Sequence, residues 1–192
     1  MFKRFAFTVV IAYCLALVFS GNAYAMRLLT QEEALKKVFG PGTEVASENQ
    51  ELVEPALSKV LAKLDGILIY AQKGSEGAKT DFDFYFALKD GKKTGVAIID
   101  EEPGKWGPIE FIVAMDLQGV VTRVEVLSYD EKRGQPIARH SFLSQFEGKN
   151  GKSPVKIDKD ITGISGATIS SRCAAFAVKK SIALYEEIYL NK

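Results

Sequence analysis

Between Phe82 and Leu127 the chain reads as short strands joined by turns, the pattern of hairpins. Phe82, Phe84 and Phe86 alternate with polar or smaller residues, the two-residue period of a strand with one buried face. Asp90-Gly91 is a hairpin turn leading into a second run, Gly95 to Asp100. Ile109 to Met115 and Val120 to Leu127 form another hairpin across Leu117-Gln118-Gly119. Helical patterns flank these strands. Thr30 to Glu33 is a capping box that opens a helix through Lys37 and Val38, ended by Gly40-Pro41-Gly42. A second helix follows Pro55, with Leu57, Val60, Leu61 and Leu64 on one face and Gly66 as its terminator. Ile67 to Tyr70 then reads as a strand, and Gly74 to Lys79 as a loop. The clearest helix runs from Ser170 to Leu190, where Ala174, Ala177, Val178, Ile182, Tyr185 and Tyr189 share a face. No repeat or linker divides the chain. The reading is a single α+β domain: an antiparallel or mixed sheet built from hairpins, flanking helices and a long C-terminal helix.

The first 25 residues have a different composition. Lys3 and Arg4 precede a mostly apolar run from Phe5 to Phe19, and Ala23-Tyr24-Ala25 is a small-x-small cleavage site before Met26. A spanning helix needs about 20 apolar residues, which makes this run a signal peptide more readily than a permanent anchor. Both readings export the domain, to the periplasm or the outer face of the cytoplasmic membrane. The remainder divides into an N-terminal helical and strand region, 26–80, and a core, 81–192. Hydrophobic residues make up 47% and charged residues 26%, a globular balance. The formal charge is +1, and it becomes −1 when Lys3 and Arg4 leave with the signal. Neither value suits a partner made of nucleic acid. Beyond the signal, Cys173 is the sole cysteine and His140 the sole histidine, so disulfide frameworks, iron–sulfur sites and multi-histidine metal sites are excluded.

The stretch that carries chemistry is Thr162-Gly163-Ile164-Ser165-Gly166-Ala167-Thr168-Ile169-Ser170-Ser171-Arg172. Small and hydroxyl residues run straight into the last helix. Gly163 and Gly166 let backbone come close to a ligand. The hydroxyls stand near a helix N-terminus, where free N–H groups and the dipole favour an anion such as phosphate. The alternative from the residues alone is a helix cap rich in Ser and Thr. A hydrolase reading fails here: Gly163 to Ala167 lacks the last glycine of a nucleophile elbow, and no acid partner for His140 is evident.

Ser165-Gly166-Ala167-Thr168, followed by Ile169-Ser170-Ser171-Arg172, resembles the flavin attachment motif of the FMN-binding domain family. That family includes the C subunit of the sodium-pumping NADH:quinone reductase and the G subunit of the Rnf electron-transport complex. In it the final Thr of the motif carries FMN through a phosphoester, made by a separate flavin transferase with FAD as donor; the corresponding residue here is Thr168. Further segments agree in order. Gly104-Lys105-Trp106-Gly107-Pro108 resembles the family's glycine- and tryptophan-containing loop, and Glu131-Lys132-Arg133-Gly134 stands where Glu-Thr-Pro-Gly is frequent. Phe142, Gln145, Phe146, Gly148 and Lys149 resemble the segment that follows. The similarity covers roughly Gly95 to Tyr185. It implies that residues 81–192 are an FMN-binding core, with Thr168 as the covalent anchor. Ser165, Gly166, Ala167, Ser170 and Ser171 would shape the phosphate cradle, and Trp106, Gly107, Glu131 and Gly134 would lie near the ring.

Two positions depart from the family. Thr162 stands where an Asp is usual, with Asp160 and Asp158 the nearest acids, which bears on recognition by the transferase. Lys132 and Arg133 replace Thr and Pro. A cation at the flavin's pyrimidine edge would raise its potential, by roughly 59 mV for each 1.4 kcal/mol of differential stabilisation in a one-electron step; as solvated turn residues they would not. His140 reads as a surface residue and Cys173 as a small core residue. The function implied is an exported electron carrier that serves a membrane redox complex, or a periplasmic reductase or cytochrome. A small flavin reductase with its own substrate, and an accessory module of the same fold without flavin, remain as alternatives.

Overall fold

The phenylalanine alternation builds the middle of a six-stranded sheet. The computed structural model describes residues 26–70, 78–130 and 135–191. In chain order its elements are β1 (Met26–Arg27), α1 (Gln31–Phe39), β2 (Glu44–Glu51), α2 (Ala56–Lys63), β3 (Asp81–Lys89), β4 (Lys92–Pro103), β5 (Pro108–Met115) and β6 (Val121–Tyr129). Short helical turns follow, at Gln135–Ala138, α3 (His140–Leu143) and Ser144–Phe146; α4 (Thr168–Tyr185) then continues into a π-helical turn, Glu186–Leu190. The strand order is β1-β6-β5-β4-β3-β2, and every pairing is antiparallel. The fold is thus a single α+β domain on an antiparallel hairpin-built sheet. The signal segment 1–25, most of the 74–79 loop, and Glu131 to Gly134 lie outside the described residues.

The two sheet faces carry unequal loads. Phe84, Phe86, Val96, Ile98, Phe111 and Val113 point to one side, where α2, α3 and α4 cover them in the main core. Ala97, Ile112, Ala114 and Leu127 point to the other, where α1 covers them through Ala34, Leu35 and Val38. The expected capping box is present: the Thr30 hydroxyl accepts from the Glu33 N–H while the Glu33 carboxylate accepts from the Thr30 N–H. At its far end the last helix packs Tyr189 edge-on against Phe84 and Phe86, with ring centres 5.0 and 5.3 Å away.

The structure changes three sequence readings. Ile67 to Tyr70 is not a strand. Two of its backbone groups bond to side chains: the Leu68 carbonyl accepts from Lys180 Nζ at 3.1 Å, and the Tyr70 N–H donates to Glu102 Oε2 at 2.8 Å. A strand that periodicity did not reveal, β2, lies on the sheet edge, pairing Val45 with Ala87 and Gln50 with Phe82. Its sequence, Glu-Val-Ala-Ser-Glu-Asn-Gln-Glu, lacks apolar alternation because neither face of this edge is deeply covered. The final helix begins at Thr168, two residues before the expected start, and Cys173, Ala175, Ser181 and Lys180 are buried in addition to the expected face.

Lys180 is the one lysine buried along α4. Its ammonium meets Asp100 Oδ2 at 2.5 Å and also contacts Glu102 Oε1, and the three side chains are 3%, 12% and 0% exposed. Burial pushes the Glu102 carboxyl up to about 7, against the opposing pull of Lys180. The two carboxylates in turn hold the Lys180 ammonium above the usual lysine range, against the effect of its burial. Removing the cation strands two acids in the core, so Lys180→Ala is expected to cost about 3–5 kcal/mol in a denaturant titration. A raised Glu102 pKa means that the folded state binds a proton the unfolded chain releases. Stability is therefore expected to fall as pH rises from 4.5 to about 7, by on the order of 3 kcal/mol. A Glu102→Gln variant should show a flat profile in that window.

Candidate functional site

The turn before α4 is built by hydrogen bonds from both sides. The Ala167 N–H donates to the Ile164 carbonyl at 3.0 Å, and Gly166 sits at φ +78°, the conformation that the third residue of a type II turn demands. An added Cβ at Gly166 would meet nothing within 4 Å, so the glycine is needed for its backbone angle. Gly163 has a different reason: a Cβ there would come within 2.9 Å of Ile157. Its missing side chain serves the protein's own packing, where the sequence had suggested ligand approach. Upstream, the Gln145 amide clamps the backbone of Thr162, accepting its N–H at 2.8 Å and donating to its carbonyl at 3.2 Å.

The hydroxyls fall into two groups. Ser171 is fully buried; its Oγ accepts the Ile164 N–H at 3.0 Å and donates to the Ala167 carbonyl at 2.9 Å. It fastens the turn from behind. Ser170 is also buried. Ser165, Gly166 and Thr168 are exposed on the outer side, and Thr168 is the first residue of α4. The cap position is Ala167, which makes no side-chain cap bond, so the hydroxyls do not act as a conventional cap. Helix geometry leaves the N–H groups of Thr168, Ile169 and Ser170 without intrahelical acceptors, beside the exposed Thr168 hydroxyl. Arg172, exposed one turn further on, shares the Thr168 face of α4.

A second element comes to the same end of the molecule. The tip between β4 and β5 is closed by the Gly104 N–H donating to the Gly107 carbonyl at 2.9 Å. The Cys173 thiol, one turn inside α4, donates to the Pro103 carbonyl at 3.2 Å and so joins this tip to the start of the helix. Gly107 lies against the end of β6, where an added Cβ would stand 2.7 Å from the Asp130 Cβ. Glu131 and Gly134 lie outside the described residues. Trp106 is 56% exposed, with Lys105 Nζ 5.1 Å from the centre of its ring. His140 is exposed at the start of α3, and Asp158 and Asp160 lie on the loop before Thr162. Asp160 accepts the Lys156 N–H at 2.8 Å and pairs with Lys149 at 3.0 Å; despite partial burial these contacts hold its carboxyl below the usual range.

The same tip walls a cleft of about 670 Å³, lined by Leu68, Phe82, Asp100, Gly104, Gly107 and Lys180 among others. It exists because β3 and β4 part company. Their pairing ends at Phe84 and Ile98, while β4 continues against β5 to Pro103. Sequence reasoning found the turn and the tip but missed Asp100, Glu102 and Lys180. The signal available was a lysine on the inward stripe of an otherwise apolar helix, opposite two acids at alternate positions of a strand. Among the described residues no group of His, Cys, Asp and Glu is arranged to hold a metal ion, and no helix is long and apolar enough to cross a membrane.

Comparison with known proteins finds relatives over much of the chain. The G subunit of the ion-translocating oxidoreductase complex of Aliivibrio fischeri is 28% identical over 181 residues, covering 84% of each chain. The G subunit of the proton-translocating ferredoxin:NAD(+) oxidoreductase complex of Clostridium ljungdahlii is 29% identical over 107 residues, 52% of this chain and 58% of that one. The Na(+)-translocating counterpart from Acetobacterium woodii is 22% identical over 156 residues, 76% and 75% of the two chains. A solved structure, the C subunit of the Na(+)-translocating NADH-quinone reductase of Parabacteroides distasonis, aligns with a TM-score of 0.47 and 18% identity over 74% of this chain and 76% of that one. Residues 104–183 match the FMN-binding domain family. The matched stretch is the one that supplies the hairpin tip, the turn and most of α4.

Proposed function

We propose that this protein is an FMN-carrying electron-transfer subunit, exported by its N-terminal segment and working with a membrane redox complex. The family match supports FMN, and the proteins to which the chain is similar belong to ion-translocating oxidoreductase complexes. The single observation that carries covalent attachment is the position of Thr168. Its hydroxyl is exposed at the first residue of α4, after a turn held open by Gly166 and beside three backbone N–H groups that no side chain caps. A phosphoester there would have its negative charge met by those N–H groups and by the dipole of an 18-residue helix.

The chain's own residues then divide the work. Ser165, Gly166 and Ala167 form the open side of the cradle, and Ser170 and Ser171 hold it from inside. Arg172 stands within reach of an anion at Thr168. Trp106 and Gly107 border the ring, together with Glu131 and Gly134, which follow Asp130 in sequence. When bound, the flavin supplies one- and two-electron redox chemistry. The protein's part is to hold the ring, set its potential and leave an edge open to donor and acceptor. Among the described residues, neither His140 nor another group stands beside the turn as an acid or base aimed at a substrate. A carrier accounts for this arrangement better than a reductase with its own substrate. A flavin transferase is required for maturation.

The decisive measurement is the intact mass of exported protein made together with a flavin transferase. The wild type is expected to gain one FMN residue; Thr168→Ala is expected to gain none and to lose the yellow colour on denaturation. An unmodified, colourless wild type would leave the flavin-free accessory module. Thr162→Asp restores the residue usual before the motif, and the fraction of protein flavinylated after a short induction is expected to rise. An unchanged fraction would mean that the transferase reads the turn without that position.

A further inference from the structure

Holding electrons alone does not require two carboxylates and one ammonium buried together. With Lys180 protonated, the Asp100–Glu102–Lys180 cluster has one negative charge more than its single cation can balance, in side chains that are at most 12% exposed. Such an excess is costly away from water and is relieved by binding one proton. The cluster also has an entrance. Asp100 and Lys180 line the cleft, Glu102 lies behind them, and the other wall of the cleft is the Gly104–Gly107 tip. Glu102 precedes Pro103, whose carbonyl is tied to Cys173 near the start of α4. The groups that face Glu102 are Lys180 from α4, Asp100 from its own strand and the Tyr70 N–H from the loop after α2. Lys79, Glu101 and Glu110 stand at the mouth of the cleft.

We infer that the Asp100–Glu102 pair takes up one proton from solvent when the flavin is reduced, coupling the potential of the carrier to pH through this chain's own residues; the inference rests on the FMN reading above. A reduced flavin seated against Trp106 and Gly107 would bring negative charge to the tip side of the cleft. That charge raises the proton affinity of a carboxylate already short of cations. The electron comes from whatever donor reduces the flavin, and the proton comes from water by way of Asp100. One carboxylate becomes a carboxylic acid, and no other bond changes. The proton belongs to the pair as a unit, because both acids share Lys180. The position of Glu102, lifted by burial to about 7, places the response in the neutral range.

The test uses flavin-loaded protein whose mass has been verified. Midpoint potentials are measured by spectroelectrochemistry with dithionite and mediators across the neutral range, for the wild type and for Glu102→Gln. Above about pH 7 the wild-type potential is expected to fall more steeply with pH than that of the variant. Below that value the two profiles are expected to run parallel. Parallel profiles throughout overturn the inference. A second readout needs no variant: the reduced-minus-oxidised infrared spectrum of the wild type, taken roughly one unit above that pKa, should gain the carbonyl band of a protonated carboxylic acid. Absence of that band overturns the coupling even if Glu102→Gln fails to fold. A wild type that carries no flavin is recognised beforehand by mass and overturns the FMN reading with it. A flavinylated protein that lacks both signals overturns the proton coupling alone.

Discussion

A single ammonium fixes how the last helix lies on the sheet. Lys180 Nζ reaches Asp100 and Glu102 on β4 and the carbonyl of Leu68 in the loop after α2, so one side chain joins three elements. An apolar helix face can slide on an apolar sheet at little cost, but a buried charge has one acceptable position. Thr168 stands 12 residues up the same helix, about 18 Å along its axis at the usual rise per residue. The placement of the turn relative to the sheet is therefore inherited from an interaction well inside the core. Lys63, which meets both Glu186 and Glu187, and the packing of Tyr189 on Phe84 and Phe86 secure the other end.

With the helix fixed, the site is assembled by short-range bonds. Ser171 and Gln145 tie down the backbone on either side of Gly163, and Cys173 ties the hairpin tip to the first turn of α4. Their effect is to leave Ser165, Gly166 and Thr168 facing outward, with their neighbours satisfied from within. The parting of β3 and β4 beyond Phe84 and Ile98 opens the cleft on the other side of the tip, so that the same loop borders both the start of α4 and the buried acids.

The turn and the tip were legible because their chemistry is local. A type II turn needs a glycine at one position, and a hairpin needs two alternating runs with a short connection. Both demands appear as residue types in order. The Ile67–Tyr70 segment misled because its apolar residues resemble a strand, while its backbone partners are side chains far away in sequence. β2 was hidden for the opposite reason: an edge strand of polar residues is recruited by Phe82 to Leu88 on its neighbour and has no periodicity of its own. Gly163 reads by residue type as a point of ligand approach, yet a side chain there would meet Ile157, and the Ser171 hydroxyl holds the turn from behind through Ile164 and Ala167.

The sequence by itself determined the antiparallel hairpins, the α+β class, the long final helix and the family resemblance centred on Thr168, since each follows from neighbours a few residues apart. Tertiary structure alone decided which hydroxyls face outward, how the hairpin tip meets the start of α4, and that Asp100, Glu102 and Lys180 share one buried cluster. The last two depend on contacts between residues about 70 to 80 positions apart. A lysine in a helix and two acids in a strand carry no mark of their partnership until burial removes the water that would otherwise separate them.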